Sequence, residues 1–247
     1  ACSSSPCNHA TLRIPAAADI VLEGEIPPPE VESEMEGPFG EWTGYYASGT
    51  RPSPLIRIKS VYHRNDPILT VLPDFKSYPL SSYLFLVFCA AGLWNEIEQA
   101  GITDIKGVWL AEWVMLFFQV FSLKQPYAGH PRHAAHIALG AREGGYLGRF
   151  VVLVDDDIDP ANIADVMWAV STRCDPKTGI EIANNCWSSP IDPRLTPEQR
   201  IAGDFTNSRA IVDACRPLAW RDKFPKVHSI DPGYRDEIKA KWKEIFS

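Results

Sequence analysis

The sequence predicts an α+β protein, with short strands near its start, one long helix, and alternating strands and helices towards its end. Short apolar segments separated by Gly and Pro clusters fill the first third, which is typical of strands. Residues 81–100 cover about five helical turns that are apolar at first and then amphipathic. From residue 103 the apolar pattern alternates between strand and helix. These three observations predict the fold class.

The first segments are predicted to be extended. Within residues 10–26, residues 19–23 are expected to form a short buried strand. The three prolines at 27–29 end it, because proline cannot donate a hydrogen bond to a ladder. Residues 55–63 and 68–72 are predicted to pair as a β-hairpin.

Residues 81–100 are predicted to form a helix that links the two halves. Gly101 follows the last helical residue, where glycine commonly ends a helix. The first turns are apolar on every side, and a helix of that kind is expected to be buried between layers.

The C-terminal half is predicted to place helices on a sheet. The predicted elements are strands at 105–110, 117–123 and 150–154 and helices at 131–142, after Asp159-Pro160, and at 234–246. Asp159 is the expected N-cap and Pro160 the first helical residue. Residues 188–233 are rich in proline and expected to be irregular. The predicted domains are therefore a β domain (1–78), a linking helix (79–100), an α/β domain (101–190), and an irregular tail with a terminal helix (191–247).

Composition argues against several classes of protein. The formal net charge is −7, from 24 basic and 31 acidic residues, so a nucleic-acid partner has no electrostatic support. The longest apolar stretch, residues 108–121, is interrupted by Glu112 and Gln119 and is too short for a transmembrane helix. The first residues show no signal peptide, and the six scattered cysteines are expected to be reduced. We therefore expect a cytoplasmic protein.

A pair of glutamates is the first candidate for chemistry. Glu36 and Glu41 flank a Gly-Pro-Phe-Gly turn inside residues 27–53, which are predicted to form a long loop. Aromatic neighbours can desolvate one carboxylate and raise its pKa, which would leave a proton to donate near neutral pH. The alternative is an acidic surface loop.

Two further clusters have both a functional and a structural interpretation. His130, His133 and His136 lie at helical spacing and suit a metal ion, or equally a polar helix start. Residues 155–159, with four aspartates after a predicted strand, suit a ligand site at a sheet edge, or the cap of the next helix. The sequence contains no P-loop, no Gly-x-Gly-x-x-Gly and no Gly-x-Ser-x-Gly motif.

Six stretches of the chain carry a resemblance to a known family. They are residues 14–16, 19–24, 36–46, 124–130, 154–159 and 166–173. In their order and spacing, from near residue 10 to the end of the chain, they resemble the C-terminal half of the UbiD family of decarboxylases, which use prenylated FMN.

The resemblance implies a non-oxidative, reversible decarboxylase of an aromatic, heteroaromatic or α,β-unsaturated acid, with CO2 as the other product. In it Glu41 matches the proton donor, and Glu36 matches a glutamate that pairs with an arginine. The fold would be the end of a split β-barrel flavin-binding domain, the linking helix, and an α/β sandwich that mediates oligomerisation. A homodimer or larger homo-oligomer is therefore implied, with a flavin prenyltransferase as cofactor supplier.

The resemblance also assigns cofactor contacts. Prenylated FMN, Mn2+ or a similar divalent ion, and K+ complete the family's site. Arg142 would reach the flavin phosphate, Pro73 would lie near the flavin ring edge, and the backbone carbonyl of Arg173 would bind the monovalent cation. Residues 70–76 and 184–190 are the expected walls of the substrate pocket.

Three alternatives stay open. The family's catalytic arginine and divalent-metal ligands lie upstream of anything in this chain, so the chain would be a fragment, a split subunit or a degenerate relative. A rival function is a non-catalytic assembly subunit that needs a partner to supply the flavin-binding half. A third is a metal-dependent hydrolase built on the cluster of His130, His133 and His136.

Overall fold

The structure, a computed structural model, describes residues 4–6, 13–47, 49–71, 76, 80–111 and 115–245. The chain divides into two compact units, Ala1–Cys215 and Arg216–Ser247. The described strands, all in the first unit, are β1 (Ser4–Pro6), β2 (Arg13–Pro15), β3 (Ile20–Glu25), β4 (Ser33–Glu36), β5 (Arg51–Pro54), β6 (Arg57–His63), β7 (Ile105–Leu110), β8 (Phe118–Leu123), β9 (Phe150–Asp155), β10 (Ile180–Trp187) and β11 (Thr206–Asp213). The helices are α1 (Leu80–Gln99), α2 (His130–Gly140), α3 (Arg142–Gly145), α4 (Ile163–Arg173), α5 (Pro176–Gly179), α6 (Pro197–Ala202) and, in the second unit, α7 (Pro232–Lys241).

A five-stranded mixed sheet forms the centre of the first unit. Its order is β10-β11-β9-β8-β7, with β9 parallel to both β8 and β11 and the outer pairs antiparallel. Val151, Leu153 and Ile211 face a core shared with α1 and α2, and Val152 and Val212 face a second core shared with α4. Helices on both faces explain why these strands are apolar runs without alternation.

Helix α1 is predicted correctly in position, but its burial is one-sided. Leu86, Leu93 and Ile97 are buried in the core beside the sheet. Leu84 and Phe88 on the helix are 64% and 73% exposed. The expectation that α1 is covered on all sides is therefore wrong for this chain, because the sheet covers only one of its faces.

The N-terminal strands form separate two-stranded ladders. β3 pairs with β6, β4 with β5, and β1 with β2, each pair antiparallel. The predicted hairpin of residues 55–63 and 68–72 is wrong, because β6 pairs with β3 and residues 68–71 are not in a strand. The strand predicted at 19–23 exists as β3 but is not buried, since Ile20 and Leu22 are 40% and 50% exposed.

Several elements differ from the prediction in their bounds or in their presence. Helix α4 begins at Ile163 with Asn162 as its N-cap, because the Asn162 side chain accepts hydrogen bonds from two backbone N–H groups. Residues 188–233 are not irregular throughout, since they contain α6 and β11, and β11 is an inner strand of the sheet. The terminal helix ends at Lys241 rather than residue 246.

The second unit is small and carries α7. The Asp231 side chain accepts a hydrogen bond from the backbone N–H of Tyr234 and so caps the helix. The rings of Trp220 and Phe224 stack with centroids 5.1 Å apart. Of the helices that the structure describes, none combines the length and apolar character that crossing a membrane requires.

Candidate active site

Residues 36–47, here called the glutamate loop, connect β4 to the segment before β5. Glu36 is the last residue of β4, and its Oε2 accepts a hydrogen bond of 2.5 Å from Ser53 Oγ on β5. The strand register places Arg51 opposite Glu36. Gly37 has a φ of +89°, and a Cβ there would lie 2.6 Å from the carbonyl oxygen of Gly49. The turn after Glu36 therefore requires glycine.

Glu41 begins a tight turn. Its backbone N–H donates to the Tyr45 carbonyl at 3.0 Å, and its carbonyl accepts from the Gly44 N–H at 2.8 Å. Gly44 has a φ of +81°, and a Cβ there would lie 2.9 Å from Lys76 Cα. The backbone of Glu41 is therefore fixed by local hydrogen bonds and by close packing at Gly44.

The two glutamates differ in exposure. Glu36 is exposed and Glu41 is half-buried. Phe39 and Tyr46, two of the aromatic neighbours in this loop, are themselves 50% and 76% exposed. Among the described residues, the predicted desolvation of one carboxylate is therefore only partial, and Glu41 is the glutamate that has partial cover.

Trp42 anchors the glutamate loop to the sheet domain. Its ring packs against the core, with a centroid 5.6 Å from that of Phe117. The guanidinium of Arg149 lies over the other ring of this pair, 5.1 Å from the Phe117 centroid. Arg149 in turn donates to both carboxylate oxygens of Asp192 at 2.7 Å. The neighbour of Glu41 is thus connected to a charged pair in the C-terminal part of the unit.

Asp192 is fully buried and is bound on several sides. Besides Arg149, it accepts hydrogen bonds from the Arg194 backbone N–H, Ser188 Oγ and Asn207 Nδ2. Burial alone would raise the pKa of Asp192, but the hydrogen bonds and charge of Arg149 hold the pKa below its usual value. The sequence shows Asp192 only inside a Pro-Ile-Asp-Pro segment, which carries no periodic signal for this role.

Arg142, the predicted phosphate contact, lies at a cavity of about 640 Å3. It is the first residue of α3 and is exposed. Tyr146 and Trp187 line the same cavity, with ring centroids 5.8 Å apart. Phe85 on α1 and Arg209 on β11 also line it. Residues 186 and 187 of the expected pocket wall therefore reach this cavity, and Pro73 lies outside the described residues.

Arg209 holds the walls of this cavity together. It is 1% exposed, and its guanidinium donates to the carbonyls of Leu139 at 3.0 Å and of Gly145 at 2.5 Å, and also to the carbonyl of Trp187. Its hydrogen bonds thus join β11, the end of α2, α3 and the end of β10. Sequence reasoning missed Arg209, because it lies within residues 188–233, which were predicted to be irregular, and because arginine is normally solvent-facing.

A bulge in β10 lies directly before Cys186 and Trp187, the residues of this strand that line the cavity. The register against β11 shifts between Ala183 and Cys186, and Asn185 has a φ of +57°. Glu181 and Ala183 are half-buried and their neighbours are exposed. The next half-buried residue is Cys186 instead of residue 185, so the alternation is delayed by one residue. The extra residue in an edge strand is the usual form of a β-bulge.

Arg173 lies in a buried charge cluster. Its Nη1 donates to Asp155 at 3.2 Å and to Asp157 at 2.8 Å, and its guanidinium lies 5.0 Å from the centre of the Trp168 ring. Asp155 also accepts from Gln125 Nε2 at 2.9 Å. These contacts give Asp155 and Asp157 a structural role as ion-pair partners of Arg173, whereas the cap of the next helix is Asn162. The role of the Arg173 carbonyl as a cation ligand stays a prediction.

The three histidines do not converge. His130 is fully buried, where its Nε2 donates to the Thr103 carbonyl at 2.9 Å and burial lowers its pKa. His133 contacts the Tyr127 hydroxyl, whereas His136 lies 3.1 Å from Glu181. Across the described part of the chain, no group of three or more His, Cys, Asp or Glu side chains is placed to hold a metal ion. The histidine-based hydrolase is therefore wrong.

Two family models match the chain. Residues 82–214 match the C-terminal domain of 3-octaprenyl-4-hydroxybenzoate carboxy-lyase, and residues 2–74 match its Rift-related domain. The first match alone covers more than half of the chain. The chain belongs to the UbiD family. The boundary between the two UbiD matches lies between residues 74 and 82, at the start of α1.

Characterised UbiD relatives are similar over most of this chain. A phenolic acid decarboxylase of Bacillus subtilis (strain 168) is 35% identical over 208 residues, which cover 84% of this chain and 42% of the relative. A phenolic acid decarboxylase of Sedimentibacter hydroxybenzoicus is 29% identical over 235 residues, which cover 95% of this chain and 47% of the relative. The chain spans about half the length of the curated relatives it matches.

Solved UbiD-class structures share the fold. HmfF from Pelotomaculum thermopropionicum, in complex with FMN, superposes with a TM-score of 0.81 at 27% identity, over 98% of this chain and 51% of that one. The open form of Sedimentibacter hydroxybenzoicus vanillic acid decarboxylase superposes with a TM-score of 0.76 at 27% identity, again over 98% and 51%. The architecture of this chain is therefore that of UbiD-class enzymes.

Proposed function

We propose that the protein is a non-oxidative, reversible decarboxylase of an aromatic, heteroaromatic or α,β-unsaturated acid, and that it works with prenylated FMN. Membership of the UbiD family and the decarboxylase names of its relatives support this reaction class. The observation on which the proposal chiefly depends is Glu41, a half-buried carboxyl whose backbone is fixed in a tight turn.

In the proposed reaction the bond from the substrate carbon to its carboxylate breaks and CO2 leaves. A proton from the Glu41 carboxyl forms the new C–H bond, and the Glu41 carboxylate regains a proton from water. One proton is consumed for each CO2 released, with no net change in oxidation state. Glu36 accepts a hydrogen bond from Ser53 and lies opposite Arg51. In the proposed site it would pair with an arginine guanidinium and so hold the positions of the two glutamates fixed.

The cavity at Arg142 fits part of a flavin. An exposed guanidinium suits a phosphate, and the aromatic rings of Tyr146 and Trp187 suit a conjugated ring system. When bound, prenylated FMN would supply the electron sink that decarboxylation of these acids needs. Pro73 is proposed to lie near the ring edge.

The metal ions fit less well. The described residues offer no cluster of acidic, histidine or cysteine side chains for Mn2+, so we derive no step from a divalent ion. The Arg173 carbonyl remains the proposed ligand for K+. A flavin prenyltransferase as cofactor supplier, a homodimer or larger homo-oligomer, and a cytoplasmic location complete the proposal.

Replacing Glu41 tests the reaction. The protein is produced together with a flavin prenyltransferase, and CO2 release is measured with a panel of aromatic and acrylic acids. Glu41→Gln is expected to lower turnover by about 100- to 10,000-fold, because a general acid is lost with little change in volume. Visible absorbance of the retained flavin should be unchanged.

Glu34→Gln is the matched control, because Glu34 is an exposed residue of β4, two positions before Glu36. It should retain the activity of the parent protein. Full turnover by Glu41→Gln would disprove the role of Glu41 as proton donor.

A second candidate is an assembly subunit that needs a partner to supply the flavin-binding half. The apolar residues on β3 and β6 favour it, since Leu22, Ile58 and Val61 are 50%, 52% and 56% exposed. Native mass and the visible spectrum of protein made with the prenyltransferase separate the two candidates. Flavin absorbance with CO2 release supports the enzyme, and a 27.5 kDa subunit without flavin supports the assembly subunit.

A further inference from the structure

Arg200 on α6 binds three backbone carbonyls from different parts of the first unit. Its Nη1 donates to the Ala47 carbonyl at 2.5 Å and to the Pro190 carbonyl at 2.6 Å, and its Nη2 donates to the Asp192 carbonyl at 2.7 Å. Ala47 is the last residue of the glutamate loop and is buried. The guanidinium therefore joins the end of that loop to the segment before α6.

Arg200 is itself held in place by the ends of its helix. Thr196 and Gln199 form a capping box, in which each side chain binds the other residue's backbone N–H. Gly203 ends the helix in a left-handed conformation with a φ of +69°. A short helix fixed at both ends can hold a guanidinium in one position.

The middle of the glutamate loop is attached to the same segment by a second route. Trp42 packs on Phe117, Arg149 covers Phe117, and Arg149 binds the Asp192 carboxylate. The Asp192 carbonyl accepts from Arg200. Residues 42 and 47 are therefore both connected to Asp192, one through its carboxylate and one through its carbonyl.

From these contacts we infer that Arg200 is a positioning residue for Glu41. The inference rests on the proposed function, because it concerns the placement of the proposed proton donor. Glu41 lies immediately before one attachment and six residues before the other, so release of Ala47 frees the turn that carries its carboxyl. A displacement of about 1 Å at a reacting group can lower a rate by about a hundredfold.

Hydrogen exchange of the protein itself, measured by mass spectrometry, provides a test that does not depend on activity. In Arg200→Gln, amides of residues 41–47 should exchange about tenfold faster than in the parent, because a tether is lost while the sheet remains. Arg200→Lys keeps the charge but lacks the planar guanidinium, so the exchange rate of these amides should lie between those of the parent and of Arg200→Gln. Arg194→Gln is the matched control, an exposed arginine of the same segment, and should leave the exchange unchanged.

A double-mutant cycle on CO2 release then tests the coupling to Glu41. Arg200→Gln is expected to lower kcat about tenfold to a hundredfold with little change in KM, and Arg200→Lys should partly restore it. In the Glu41→Gln background, Arg200→Gln should cause no further loss, because both changes act through one group.

The outcomes separate this inference from the proposed function. The role of Arg200 would be overturned if the losses in kcat from Glu41→Gln and Arg200→Gln multiplied in the double variant. It would also be overturned if the hydrogen exchange of amides 41–47 were unchanged in Arg200→Gln. Absence of CO2 release by the parent protein would instead overturn the proposed function. Full activity of Glu41→Gln would overturn only the role of Glu41 as proton donor, and the double-mutant cycle would then contain no loss for Arg200→Gln to share.

Discussion

The five-stranded sheet and the β3–β6 ladder show opposite relations between apolar residues and solvent. In the sheet, Val151, Leu153 and Ile211 are fully buried. In the ladder, Leu22 on β3 is half exposed, while Glu23 beside it is buried and accepts a hydrogen bond of 2.6 Å from the Tyr62 hydroxyl. The ladder therefore has the residues and the pairing of a β-strand pair, but the described part of the chain provides no apolar cover on the face that carries Leu22.

This difference shows which part of the chain supplies its own core. A sheet with helices on both faces buries enough apolar area to be stable, whereas a two-stranded ladder is marginal on its own. The apolar face of β3 and β6 has the composition of an inner surface, and its counterpart would have to come from another segment or another chain. Three measurements would sharpen or break the comparison.

The largest expected effect is on unfolding of the sheet domain. Leu153→Ala should lower the free energy of unfolding by about 2–5 kcal/mol, because it leaves a cavity in the core. Leu22→Ala should change it by less than about 0.5 kcal/mol, because the side chain is half exposed. Urea unfolding of both variants measures the difference. A loss for Leu22→Ala as large as that for Leu153→Ala would show that the ladder face is covered in solution.

The next effect concerns the buried carboxylate of Asp192, which is connected to the glutamate loop through Arg149, Phe117 and Trp42. Asp192→Asn should lower the free energy of unfolding by about 1.5–3 kcal/mol at neutral pH, because a charge-assisted pair with Arg149 is lost. The folded-state pKa of Asp192 is below its unfolded value of about 3.9, so its contribution is present above that pH and disappears as the pH falls through the folded pKa.

Urea unfolding at a series of pH values checks this expectation. The gap between parent and Asp192→Asn should be constant near neutrality and should narrow only below about pH 4. A gap that closes between pH 5 and pH 7 would contradict the assigned direction of the pKa shift.

The smallest effect compares the two faces of α1. Burial, with the negative charge of Glu143 as a lesser cause, raises the pKa of the Cys89 thiol to about 11. Cys89 should therefore be alkylated on the order of a hundredfold more slowly than an exposed thiol. Phe88→Cys provides that thiol on the adjacent residue, which is 73% exposed. Peptide mapping after iodoacetamide treatment gives both rates, and equal rates would show that α1 is not buried on one side only.

Sequence patterns predicted the elements whose signal is local. Strand β7 lies where the apolar run of residues 105–110 placed it, and α1 differs by a residue at each end. The start of α4 was predicted wrongly because the sequence contains two possible N-cap residues, Asp159 and Asn162. Asp159 binds the Ala161 N–H in a turn, and the helix begins only after Asn162 caps it.

Tertiary contacts explain the remaining misses. Strand β11 contains Asn, Ser and Arg, and it is a strand because β9 and β10 pair with it on either side. At the site, Glu36 and Glu41 were recognisable from a local turn motif. Arg200 was not, because the Ala47 carbonyl that it binds lies 153 residues away in sequence.

The extra residue in β10 has a consequence for how such a cavity can change over evolutionary time. Because the register shift puts Cys186 on the same half-buried side as Glu181 and Ala183, removal of Asn185 would restore regular alternation and leave Cys186 and Trp187 on their present faces. A single-codon deletion in this edge strand would therefore straighten the strand without changing the residues that it presents to the cavity, and the buried strands that stabilise the domain would keep every residue they have.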